Sequence, residues 1–101
     1  MLYIEKIGKV GGIYSTFQVS EMSKDNPRFN SFVSRAITLF LNCRWGVLSE
    51  NDRKANEEAL LTGERILGVY KNNQLKIYVI ADAVNDDNVR HGITVMLSDE
   101  Y

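Results

Sequence analysis

Cysteine, histidine and proline each occur once among the 101 residues of the chain. The lone Cys43 excludes an internal disulfide and a thiolate metal cluster. The lone His91 has no accompanying nucleophile motif, and the acidic stretch from Asp82 to Asp87 lacks the spacing of a calcium-binding loop. These shortages predict a protein that is not an enzyme and that carries no metal ion and no cofactor.

Long apolar runs are also missing from the sequence. No stretch of about 18 apolar residues could cross a membrane. Residues 1–9 lack the apolar region and the cleavage site of a signal peptide. We therefore expect a cytoplasmic protein without a membrane partner.

Charge of one sign is not in large excess, since the formal net charge is −1. The two signs are nevertheless unevenly distributed along the chain. Six basic and three acidic residues lie in the part up to Gly46, and six basic and ten acidic residues follow it. The small net charge, and the lack of a basic stripe with interleaved aromatic residues, argue against direct nucleic-acid binding.

Two helices are predicted in the N-terminal half. Thr16 is suited to cap a short helix over Phe17–Lys24, and Asn26 followed by Pro27 is suited to begin a second helix. Apolar residues in the second helix recur at a spacing of three and four, which predicts the spine of the core. We expect this helix to end at Arg44–Gly46, with Gly46 in the left-handed region.

A third, more polar helix is predicted from a cap at Ser49 to Gly63. Alternating apolar residues then predict three strands, at Arg65–Tyr70, Leu75–Ala81 and His91–Leu97. This order predicts one α+β domain over residues 1–101, with N-terminal helices packed on one face of a C-terminal three-stranded antiparallel meander. Two extended segments, Leu2–Ile7 and Ile13–Thr16, leave room for an extra N-terminal strand.

The residues best suited to an interaction surface lie around the third helix. They combine Trp, Arg and Tyr, which occur often in binding hot spots or interface cores, with polar and acidic residues of the helix. The candidates are Arg44, Trp45, Glu50, Asp52, Asn56, Glu57, Arg65 and Tyr70. The alternative is structural: Trp45 would close the core, and Asp52, Asn56 and Arg65 would form caps and ties where the helix meets the strand.

The same segment resembles a family of small proteins carried by bacterial mobile elements. The similarity rests on residues 45–52 (WGVLSEND), 56–60 (NEEAL) and 63–67 (GERIL), and on Tyr70. The family pattern is W-G-D-L-x-E-E-D-x-x-x-N-x-x-A-L-x-x-G-x-R-I-L-S-x-Y, and residues 76–80 (KIYVI) and 94–101 (TVMLSDEY) are similar to its later segments. Two places depart from it: Val47 replaces an acid, and residues 16–19 are TFQV where the family has T-R-G-V.

Some members of this family resemble anti-CRISPR proteins, which bind and disable a host Cas effector. The resemblance implies a non-enzymatic inhibitor of a bacterial defence nuclease, present in the host cytoplasm. Its implied partner is a Cas protein with or without guide RNA, with a type II (Cas9) system as the first choice.

Two other functions remain open from the sequence. The order of helices and strands is similar to that of RelE-like toxin–antitoxin or RNA-associated modules, and the predicted third strand offers Arg90 and His91 but no cluster of basic residues for RNA cleavage. A homodimeric accessory protein of a mobile element, associating through an exposed strand edge, is the third hypothesis.

Overall fold

A computed structural model describes residues 1–101 as three helices and six strands, with the strands in two sheets. In chain order the elements are β1 (Leu2–Ile4), β2 (Gly8–Val10), β3 (Ile13–Ser15), α1 (Phe17–Asp25), α2 (Pro27–Leu41), α3 (Glu50–Thr62), β4 (Ile66–Asn72), β5 (Leu75–Ala81), β6 (Ile93–Leu97) and a 3₁₀ turn at Ser98–Glu100. The strands β1 and β2 form a small antiparallel sheet of their own.

The main sheet has four strands in the order β3-β6-β5-β4, so the predicted three-stranded meander is wrong. Strands β4, β5 and β6 are antiparallel neighbours, as predicted, but β3 joins β6 in parallel. Ile13 lies beside Ile93, and Ser15 lies beside Val95. All three residues of β3 are exposed, so the strand carries no apolar alternation from which its pairing could be predicted.

The N-terminal hairpin is attached to the main sheet at Arg90. The backbone N–H of Arg90 donates to the carbonyl oxygen of Lys9, and the N–H of Gly11 donates to the carbonyl oxygen of Arg90, both at 2.9 Å. Val10, which forms a parallel bridge with Arg90, is completely buried. The hairpin therefore extends the core rather than standing apart from it.

The predicted helix starts are confirmed by their capping bonds. The side-chain oxygens of Thr16, Asn26 and Ser49 accept hydrogen bonds from the backbone N–H groups three residues later, at 3.1–3.3 Å. These caps satisfy donors that a helix start leaves free. Gly63, at φ +84°, ends α3 as predicted.

The end of α2 lies earlier than predicted. The helix stops at Leu41, and the left-handed residue that closes it is Cys43, at φ +59°. Gly46 also has the expected positive φ, of +81°, but it lies beyond the end of the helix. The N–H of Arg44 returns to the carbonyl oxygen of Leu39 at 2.9 Å, which completes a Schellman-type end. A glycine is the usual signal for this ending, and its absence explains the error.

Two strand starts are also corrected. β4 begins at Ile66 rather than Arg65, and β6 begins at Ile93 rather than His91. Arg90 and Val84 form isolated bridges in the segment before β6, so this segment follows the sheet without joining it as a strand.

The core lies where the helices face alternate residues of the sheet. Ile77, Val79 and Ala81 of β5 are completely buried in the same cluster as Phe40 of α2. The ring of Trp45 meets the ring of Phe40 edge to face, with centroids 5.4 Å apart. The predicted role of α2 as the spine of the core is confirmed by its buried residues Phe29, Val33, Ala36 and Phe40.

Candidate interaction surface

Three of the eight candidate residues lie inside the protein. Trp45, Asn56 and Tyr70 are each at most 5% exposed. The hydroxyl of Tyr70 donates to the carbonyl oxygen of Arg44 at 2.6 Å. Burial raises the pKa of the Tyr70 phenol, and the nearby Cys43 adds to the rise. The three side chains contact residues of their own chain and are not exposed to a partner.

Asn56 ties α3 to the outer edge of β4. Its Nδ2 donates to the carbonyl oxygen of Leu67 at 2.7 Å, and the N–H of Leu67 donates to its Oδ1 at 3.2 Å. The side-chain amide thus makes the pair of bonds that a neighbouring strand would make. The predicted structural tie at Asn56 is confirmed.

The segment around Gly46 bonds to the peptide groups of Val69, two residues further along the same edge of β4. The N–H of Val69 donates to the carbonyl oxygen of Trp45 at 2.9 Å, and the N–H of Val47 donates to that of Val69 at 2.7 Å. A Cβ at Gly46 would collide with the Val69 carbonyl, and φ is +81° there. Only glycine fits this approach, which explains in physical terms why a glycine follows Trp45.

The remaining five candidates are exposed: Arg44, Glu50, Asp52, Glu57 and Arg65. Arg65 stacks on the ring of Tyr101, with the guanidinium carbon 5.4 Å from the ring centroid. Tyr101 in turn packs edge to face against Tyr78, 5.1 Å away. Arg65 therefore belongs to an aromatic cluster on the sheet and does not make the predicted tie between helix and strand.

The outward face of α3 carries Glu50, Lys54, Glu57, Glu58 and Leu61, which helical geometry places opposite the buried Asn56 and Ala59. No side chain on this face forms an ion pair. The one ion pair of the molecule joins Lys24 to Glu21, at 2.9 Å, on α1. The leucine at its end, Leu61, is 90% exposed.

The helix α3 is fixed to the rest of the chain on its inner side. Arg53 donates from its guanidinium to the carbonyl oxygen of Gly46 at 2.7 Å, and Asn56 holds Leu67 as described. The carbonyl oxygen of Ala59 accepts a bond from Arg90 at 3.1 Å. These bonds hold in place the helix that carries the outward carboxylates.

Arg90 is a structural residue that the sequence did not indicate. Its guanidinium is 1% exposed and donates to the carbonyl oxygens of Glu64 at 2.6 Å and Asp82 at 2.8 Å, as well as to Ala59. Burial lowers its pKa, and its Nε has no partner. No local sequence pattern predicts contacts to residues so far away in the chain.

His91 points the other way, into solvent. Its ring stacks on that of Tyr14, with centroids 6.4 Å apart and planes at 18°. The Arg90 side chain is buried while that of His91 is exposed, so the two do not form the joint basic site that a ribonuclease toxin would use.

A second surface missed at the sequence level is a groove between α2 and the end of β4. It holds about 390 Å³ and carries three cations, Arg28, Arg35 and Lys71, with Phe32 and Val47 among its apolar lining. Arg28 and Arg35 are seven apart, so they share a side of α2. That spacing was readable in the sequence, although its position beside β4 was not.

No group of three or more His, Cys, Asp or Glu side chains is placed to hold a metal ion. None of the helices combines the length and the apolar character that crossing a bilayer requires.

Comparison with models of protein families, with curated proteins and with solved structures found no match.

Proposed function

We propose that this chain is a binding protein of a bacterial mobile element that inhibits a host defence nuclease by direct contact. The observation that carries the proposal is the outward face of α3, where Glu50, Glu57 and Glu58 are exposed without an ion pair. The resemblance of residues 45–70 to proteins of mobile elements supplies the setting. A type II effector of the Cas9 kind is the first target to test.

The chemistry of such a target fits a carboxylate surface. Nucleases that hold nucleic acid do so in positively charged channels, and carboxylates fixed on a helix can occupy such a channel in place of phosphates. Along α3 the positions from Glu50 to Glu58 span about 12 Å. Because the inner side of α3 is bonded to the rest of the chain, binding would cost little conformational entropy of the helix.

The direct test is a cleavage assay with purified Cas9-type effectors, each with and without guide RNA, followed by co-purification. The wild-type chain should slow target cleavage and remain bound to the effector. Glu57→Lys should weaken inhibition by about tenfold or more, since charges at an interface steer association and are sensitive to reversal. Higher salt should weaken the wild type in the same direction.

Asp25→Lys is the matched control, because it makes the same change of charge at an exposed position on another helix, α1. Equal inhibition by wild type, Glu50→Lys and Glu57→Lys would remove the α3 face from the proposal. Lack of binding to every effector tested, with and without guide RNA, would refute the inhibitory function itself.

A further inference from the structure

The two outer edges of the main sheet are treated differently by the fold. On β4, the outward peptide groups of Leu67 and Val69 are occupied by Asn56 and by the segment around Gly46. On β3, no comparable covering group is present. Open sheet edges are sites at which further strands add, and proteins commonly protect them.

The backbone bonds of β3 define which of its groups are free. The N–H of Ile93 donates to the carbonyl oxygen of Gly12, and the N–H of Thr16 donates to that of Val95, both at 3.0 Å. Because successive residues of a strand alternate in direction, the N–H and C=O of Ile13 and Ser15 point away from β6. Neither a loop backbone nor a side chain bonds to them.

The sequence of this edge lacks the usual protections. Residues 11–16 (GGIYST) contain no charge and no proline. Large apolar side chains are exposed at and beside the edge, with Ile13 37% and Phe17 77% exposed. Exposed apolar side chains beside free peptide groups are the features of a strand-addition site.

We propose that β3 is a self-association edge, at which a second copy of this chain adds its own β3 in antiparallel orientation across a two-fold axis. The main sheet would then continue through both copies as eight strands. This surface is separate from the outward face of α3, so the inference goes beyond the proposed inhibitory function.

The register of the pairing follows from the free groups. An axis through Tyr14 places Ile13 of each copy opposite Ser15 of the other, and each such pair exchanges both N–H and C=O bonds. The two Tyr14 residues then face each other at the centre, where antiparallel strands bring side chains closest. The free groups of the edge are therefore all satisfied by a second copy. A second copy is favoured over other extended segments because the edge carries no charge, so two copies do not repel each other, and each contributes an exposed Ile13.

The same register accounts for the exposed apolar residues near the N-terminus. Phe17, the first residue of α1, follows β3 by two residues and is 77% exposed, so it lies close to the open edge. Leu2 is also exposed, and it pairs with Val10, shortly before β3. Phe17 and Leu2 would cover each other in the dimer.

A groove on the helix side of β3 would be closed by the second copy. It holds about 490 Å³ and is lined by Ile13, Ser15, Val19, Val33 and Ile37, among others. Lys24, its one charged residue, is paired with Glu21. No like charges therefore oppose the approach of two copies at this edge.

Analytical ultracentrifugation over a concentration series tests the proposal. A pair of three-residue strands with flanking contacts is a small interface, so we expect a Kd on the order of 10–100 µM. Ile13→Lys should raise the Kd at least about tenfold, because it places a charge where the second strand would bind. Leu75→Lys is the control, since Leu75 is also 37% exposed but lies at the hairpin end of β5.

Cross-linking tests the register without relying on a charged substitution. In a Cys43→Ser background, Tyr14→Cys should form a disulfide-linked dimer on oxidation, because the two positions meet at the axis. Tyr3→Cys, at a position that is 73% exposed on β1, should not. If Ile13→Lys fails to fold in thermal denaturation, Phe17→Ser replaces it in the ultracentrifuge.

Two results would overturn the proposal. One is a wild-type chain that stays monomeric over the whole series, including the case in which it binds an extended segment of another protein instead. The other is a dimer that is insensitive to the edge variants and gives no Tyr14→Cys cross-link. No nuclease takes part in these measurements, so their outcome is independent of the inhibition assay.

Discussion

At the level of single residues, side chains of the segment from Trp45 to Tyr70 bond mainly to backbone groups of the same chain. Tyr70 bonds to the carbonyl oxygen of Arg44, and burial holds the pKa of its phenol above the ordinary value. The fold therefore favours the protonated form. This residue was a candidate for binding a partner, and its position makes it a support for the turn after α2.

Alkaline pH should destabilise the protein through Tyr70. The ordinary tyrosine pKa is about 10. Below that pH both states keep the proton and the contribution of Tyr70 is complete. As the pH rises toward the higher folded-state pKa, the unfolded state alone releases its proton, so the free energy of unfolding falls.

Urea denaturation at about pH 8 and about pH 10.5 measures this fall. Tyr70→Phe should lose about 1 kcal/mol at the lower pH, because one hydrogen bond is removed. It should also show a smaller fall between the two pH values. Tyr3→Phe, at an exposed tyrosine, should behave as the wild type. An equal fall in the Tyr70→Phe variant and the wild type would contradict this account.

At the level of elements, the helix starts were predictable because the signals are local. Thr16, Asn26 and Ser49 bond to N–H groups only three residues away, so the sequence alone contains both partners. The end of α2 was not predictable in the same way. Cys43 adopts a conformation that glycine usually provides, and it packs against the core cluster, whose residues come largely from distant parts of the chain.

The edge of β4 also has a local and a non-local part. That Asn56 could form a tie between helix and strand was predictable from its position on α3. Its second role, replacing a missing neighbour strand, depends on β4 being an edge of the sheet. β4 is an edge because β3 pairs with β6 and not with β4. The alternation of apolar residues does not predict which edge of the sheet is covered and which is open.

Asn56→Ala should destabilise the protein by about 2–3 kcal/mol, because the N–H and C=O of Leu67 would lose both partners in a partly buried place. Urea denaturation monitored by circular dichroism measures the change. Asn51→Ala, at an exposed position of the same helix, should stay within about 0.5 kcal/mol of the wild type. Similar losses in the two variants would show that the amide bonds to β4 contribute little.

At the level of the whole molecule, Arg90 connects parts that are distant in the chain. Its side chain reaches Ala59 in α3, Glu64 after α3 and Asp82 after β5, while its backbone pairs with Lys9 and Gly11. No acid neutralises it, so its charge is balanced by carbonyl dipoles alone. Such a residue has no sequence signal, because all its partners are tertiary.

Arg90→Met should cost about 3 kcal/mol or more, since three carbonyl oxygens in buried or partly buried places lose their donor. Arg65→Met is the control: the exposed Arg65 makes one cation–π contact, and its loss should cost less than about 1 kcal/mol. Chemical denaturation of both variants decides the matter. A loss at Arg90 no larger than that at Arg65 would contradict the role of Arg90 as a central tie.

The parallel pairing of β3 with β6 has a mechanical consequence. Strand β3 begins near one end of the chain and β6 finishes near the other, and the two run in the same direction. A stretching force applied at Met1 and Tyr101 would slide these strands along each other once the small N-terminal sheet had peeled away. Their hydrogen bonds would carry the load together rather than opening one after another, so this short strand would set the force at which the fold gives way.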